Sequence, residues 1–135
     1  MKITISGAGE VGCHLAKLLV DDNHDIIMID KSAERLAKAS EIADIVTVCG
    51  NPTSISVLQA AKVEKTDLFV AVFPDKDQNV NIVSALLAKE LGAKKVTARV
   101  NTSEYLSYEN KSLFTQLGID MLFYPERMAD RKSVV

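Results

Sequence analysis

Three glycines at a fixed spacing, Gly7-Ala8-Gly9-Glu10-Val11-Gly12, sit between a short β-branched run and a segment of helical periodicity. That context gives an otherwise weak pattern its chemistry. Gly7 permits a tight turn, Gly9 lets the backbone approach a pyrophosphate, and Gly12 lets the helix pack close to the sheet. The amides and positive dipole end of that helix then face the phosphates. Asp30 follows at about the spacing of 20 residues at which such folds place a ribose-binding carboxylate. A carboxylate there accepts both adenosine ribose hydroxyls and repels a 2′-phosphate, which favours NAD over NADP. Lys31 beside it works the other way. Asp30 also reads as the N-cap of the next helix, and the two roles are compatible.

These residues need a scaffold, and the rest of the chain predicts one. Lys2–Ser6, Asp25–Asp30, Ile45–Cys49, Asp67–Phe73, Lys95–Asn101 and Asp120–Tyr124 read as strands. Between them run helical segments: Glu10–Asp22, one capped by Ser32 and reaching about Ser40, a short one opened by Thr53 or Ser54, Asp77–Leu91 stopped by Gly92, and Ser103–Leu117 stopped by Gly118. Strand–helix alternation implies α/β architecture with a parallel sheet and helices on both faces. Six strands fit the doubly wound Rossmann order 3-2-1-4-5-6. Residues 1–125 make one dinucleotide-binding domain, and 126–135 read as the start of an unfinished helix or an appended tail.

Ligands of such sheets sit at the carboxyl ends of the strands. Gly50 and Asn51 then flank the adenine, and Phe73, Pro74 and Asp75 approach the ribose or nicotinamide side. Arg99 is placed to reach a phosphate or a partner carboxylate, or to form a surface ion pair. Asn79 is placed to bond either loop backbone or ligand. In the Asp77–Leu91 helix, Val80, Val83, Leu87 and Leu91 line one side and Ile82 and Leu86 widen it, a surface for core packing or for a neighbouring subunit.

Composition narrows the class. The 135 residues are 47% apolar and 25% charged with a net charge of −2, and no block of like charge suggests nucleic acid or a membrane surface. Aromatics are only 5%, so the core must be Ile, Val, Leu and Ala. No apolar run approaches the ~20 residues of a membrane span, and the N-terminus carries no leader-like segment. Cys13 and Cys49 lack metal-ligand spacing and are expected as buried thiols rather than a disulfide. His14 reads as a surface or packing residue and His24 as a solvated turn residue. No nucleophile–base arrangement or metal cluster is legible, and hydride transfer would need a substrate domain with its own acid or base. Catalytic candidates are therefore thin.

The string Ile5-Ser-Gly-Ala-Gly-Glu-Val-Gly-Cys-His-Leu-Ala16, with Ile29-Asp30-Lys31 and Glu34-Arg35-Leu36, resembles the N-terminal domain of TrkA, also called the RCK or KTN domain. The likeness continues through Val57-Leu58-x-x-Ala61, Asp67-Leu-Phe-Val-Ala-Val72, Asp77-Gln-Asn79, Ala88-Lys89-x-x-Gly92, Ala98-Arg99-Val100, Leu117-Gly-Ile-Asp120 and Tyr124-Pro-Glu126. It departs where the family commonly has Asp at position 51, Gly at 62 and Thr at 73. The resemblance implies a cytoplasmic regulatory subunit at the inner face of the membrane. It would bind NAD or NADH, with ATP or ADP in the same crevice in some members. It would assemble into dimers and rings beneath a membrane-embedded potassium transporter and gate it as ligand changes the ring. No nucleic acid and no direct membrane insertion are implied. Two other readings stand beside it: the cofactor half of an NAD-dependent dehydrogenase, and a structural module with a vestigial pocket.

Overall fold

The computed structural model describes residues 1–125, so the expectation for 126–135 lies outside the described residues. Six strands form one sheet: β1 (Lys2–Ser6), β2 (Asp25–Asp30), β3 (Val46–Cys49), β4 (Leu68–Ala71), β5 (Lys95–Arg99) and β6 (Met121–Phe123). Their order is β3-β2-β1-β4-β5-β6 and every pairing is parallel. The helices are α1 (Glu10–Asp21), α2 (Ala33–Ile42), α3 (Ile55–Ala60), α4 (Gln78–Leu91), α5 (Ser103–Leu106) and α6 (Lys111–Gln116).

Both faces of the central strands are buried, which is why they read as continuous apolar runs. On one face Ile3, Ile5, Ile26 and Met28 pack beneath α1 and α2 with Ala16, Leu36 and Ala39. On the other, Ile29, Phe69, Ala71, Val96 and Ala98 pack with Leu58, Ala85, Ala88 and Ile119. Ser32 caps α2 by accepting the Arg35 amide, and Ser54 caps α3 toward Val57. Asn23 and Lys62 adopt left-handed φ of 64° and 57°. Each follows the end of a helix, a place that favours Gly or Asn.

Three expectations need correction. The segment predicted as one helix over 103–117 is two short pieces. Between them Ser107 is extended, the Asn110 amide donates to Ser107 Oγ at 3.3 Å, and Asn110 Nδ2 donates to the Glu104 carbonyl at 3.0 Å. Such side chains compete with the helix for its own backbone groups. The fully buried positions of α4 are Asn81, Ser84, Ala85 and Ala88; of the expected apolar surface, Leu87 and Leu91 with Ile82 and Leu86 are half-buried against the core, whereas Val83 is 42% exposed. Small residues at the fully buried positions let the helix approach the sheet closely. Finally, neither cysteine is fully buried: Cys13 is half-buried, Cys49 is exposed, and both are free thiols.

Candidate functional site

The carboxyl ends of β1, β2, β3, β4 and β5 gather most of the predicted residues along one sheet edge. Gly7 ends β1 with φ +122° and donates its amide to the Ile29 carbonyl at 2.8 Å. A Cβ on Gly7 would lie 3.1 Å from the Phe73 amide nitrogen, so the turn is pressed against the end of β4. A Cβ on Gly12 would fall on the Gly7 carbonyl oxygen. Here the first turn of α1 folds back on its own entry loop, and no side chain fits.

Gly9 differs from both. It is the N-cap of α1 with φ −80°, within reach of any residue type, and a Cβ there would meet nothing within 4 Å. What lies in front of Gly9 is open space. The first amides of a helix have no partner within it, so those of Glu10, Val11 and Gly12 head α1 beside this opening. Glu10 is exposed and Val11 half-buried against the core. The geometry fits a phosphate group approaching the backbone at the positive end of α1.

Asp30 is 2% exposed. Its Oδ2 accepts the Ala8 amide and its Oδ1 the Ser32 amide, both at 2.8 Å. Its carbonyl accepts the Gly50 amide at 2.9 Å. One residue thus joins the glycine loop, the β2–α2 turn and the end of β3. Each carboxylate oxygen retains a second lone pair for a further donor. Cys13 Sγ donates to the Ala8 carbonyl at 3.3 Å, and burial, then the Asp30 charge, push its thiol pKa up. Lys31 is exposed beside Asp30.

Gly50 packs against Val57, where a Cβ would come within 2.6 Å of Cγ2. Asn51 turns its Oδ1 onto the Thr53 amide and hydroxyl at 2.9 and 2.8 Å, closing its own turn. Beyond β4, Phe73 is buried, while Pro74 leads into a 3-10 turn at Asp75–Asp77. Arg99, 8% exposed, pairs through Nη2 with Asp75 Oδ1 at 3.4 Å. Asn101 Nδ2 donates to the Asp75 carbonyl at 2.8 Å, and the Asn101 amide to Gln78 Oε1 at 2.9 Å. Arg99 thus meets a carboxylate of its own chain in a part-buried ion pair, not the surface pair that the sequence offered as an alternative.

On α4 the side-chain amide that bonds the loop backbone is that of Asn81. Asn79 is exposed. Asn81 is wholly buried and its side chain makes three bonds to Phe73 and Arg99. Sequence reasoning missed it because an apolar stripe was sought on α4. The available signal was the pattern Asn81, Ser84, Ala85, Ala88 at helical spacing. Clefts of about 510 Å³ between Lys2, Asp44 and Lys65, and about 1040 Å³ between Tyr108, Phe114 and Met121, lie away from the glycine loop. Among the described residues no group of His, Cys, Asp or Glu could hold a metal, and no helix is long and apolar enough to cross a membrane.

A doubly wound parallel sheet of this order, with a glycine turn between its first strand and first helix, is a Rossmann-type domain. The TrkA-N domain family matches residues 3–125. The chain belongs to that family. It is 42% identical over 128 residues to a Trk system potassium uptake protein TrkA homologue of Archaeoglobus fulgidus, covering 93% of this chain and 28% of that protein. The chain thus spans less than a third of that relative's length. Among solved structures it is similar to the TrkA-N domain of the inner membrane protein ybaL from Escherichia coli, with TM-score 0.81, 19% identity and coverage of 98% and 93%. It is also similar to the GsuK channel bound to NAD, with TM-score 0.73, 19% identity and coverage of 90% and 21%. The match to GsuK bound to ADP has TM-score 0.76, 19% identity and coverage of 94% and 32%.

Proposed function

We propose that residues 1–125 form a nucleotide-binding regulatory domain that takes NAD or NADH, with ATP or ADP as alternative occupants of the same crevice. The observation that carries this reading is the open space before Gly9 at the head of α1, beside the Asp30 carboxylate. The pyrophosphate would lie on the amides of Gly9, Glu10, Val11 and Gly12. The adenosine ribose would add its hydroxyls to the free lone pairs of Asp30, with Lys31, Gly50 and Asn51 around the adenine. Phe73, Pro74, Asp75 and Arg99 would border the remainder of the dinucleotide. A bound nucleotide would supply charge and shape to be sensed.

Kinship with TrkA homologues supports a role in potassium transport. In that role this domain would assemble with copies of itself at the cytoplasmic side of a membrane-embedded transporter. Ligand would act by its differential affinity for two arrangements of the assembly. Calorimetric titration with NADH, NAD, NADPH and ATP tests the binding step. Binding of NADH or NAD with NADPH weaker is expected, since a 2′-phosphate would meet Asp30. Equal NADPH affinity would remove Asp30 from ribose recognition, and absence of binding by all four would overturn the reading.

A further inference from the structure

Asn81 lies on the buried face of α4, where a polar side chain must be fully bonded to be tolerated. Its Oδ1 accepts the Phe73 amide at 2.8 Å, and its Nδ2 donates to the carbonyls of Phe73 and Arg99, each at 3.0 Å. These groups lie where sheet pairing runs out: β4 ends at Ala71 and β5 at Arg99. Phe73 is also the residue against which Gly7 is pressed, and Arg99 holds Asp75 across the 73–77 loop. A single side chain therefore completes a path from the glycine loop, through Phe73, to the ion pair beyond it.

We propose that Asn81 is a positioning residue coupling the phosphate-binding loop to the 73–77 loop, so that the half of a dinucleotide beyond the pyrophosphate is held only while the Asn81 bonds stand. The inference rests on the nucleotide reading above. It divides the crevice into an adenosine half anchored at Asp30 and a second half governed by Asn81. AMP draws on the first half alone, whereas NADH draws on both.

The test compares NADH and AMP titrations of the 135-residue chain with those of Asn81→Asp and Asn81→Ala. Asn81→Asp keeps the acceptor for the Phe73 amide, loses both donated bonds and sets a carboxylate against two carbonyls. NADH affinity is expected to fall about tenfold or more while AMP affinity stays within about twofold, as loss of one or two hydrogen bonds at one end of a ligand should do. Parallel loss for both ligands would reduce Asn81 to a structural role and overturn the proposal. Should either variant fail to fold, amide exchange at Phe73 in the unmodified chain decides. NADH is expected to slow it about fivefold more than AMP does, and equal protection overturns the proposal. Binding of neither ligand by the unmodified chain would overturn the nucleotide reading and this inference together.

Discussion

The carboxylate Oδ2 of Asp30 accepts the amide of Ala8 at 2.8 Å. The residue read for ribose recognition is therefore also a strut of the glycine loop. Asp30→Ala would orphan the buried amide of Ala8 and the half-buried amide of Ser32. Each bond to a charged group contributes about 1.5–3 kcal/mol, so the variant is expected to lose stability and nucleotide affinity together. Denaturant melts alongside titration would check this. Unchanged stability would show that the loop holds its shape without the carboxylate.

The glycines separate binding from folding. Gly9→Val directs its Cβ into open space, so the fold should survive with only the modest cost of a poorer N-cap, about 1 kcal/mol, while NADH affinity drops. Gly12→Ala meets the Gly7 carbonyl oxygen, and overpacking of that kind costs about 1–3 kcal/mol or more. Melting curves and titrations on the pair give the contrast. Retained NADH binding by Gly9→Val would displace the pyrophosphate from this loop.

Lys62 holds a left-handed backbone at φ 57° with its residue exposed. Lys62→Gly should relieve strain of about 1 kcal/mol, partly offset by greater freedom of the unfolded chain. A small rise in urea midpoint is expected, and a fall would mean the strain is negligible.

Two carboxylates make stability sensitive to acid. The Lys2 amide and Lys94 hold Asp67 below its ordinary pKa. Partial burial pushes Asp120 up, but the Val96 amide at 2.7 Å and Lys89 at 3.1 Å outweigh it and leave it lowered. A depressed native pKa contributes stability that is present above the unfolded value near 4 and is lost as pH falls through the native value. Urea midpoints should hold from pH 7 to about 5 and decline below about 4. Asp120→Asn should flatten part of that decline.

Most of the sheet was legible because its central strands are buried on both faces and leave unbroken apolar runs. Their bounds shifted by a residue or two where pairing ends before hydropathy does, as at Ala71, two residues short of Phe73. The 103–117 segment misled because its apolar spacing is helical while Ser107 and Asn110 bond the backbone locally. Gly7, Gly12 and Asp30 could be read because the local geometry needs a particular residue type at each of those places. Asn81 could not, since its value comes from two strand ends brought together only by the fold. Arg99 lies at the expected strand end, but its pairing with Asp75 depends on a loop whose course the spacing does not fix.

The open space before Gly9 carries a thermodynamic obligation. Were a nucleotide seated there as proposed, any surface that covered it and gained contacts with it would strengthen its binding by some factor. By reciprocity the nucleotide must strengthen the grip of that roof by the same factor. An unroofed shelf is thus already one half of a two-way exchange between ligand and cover, before any conformational change is invoked.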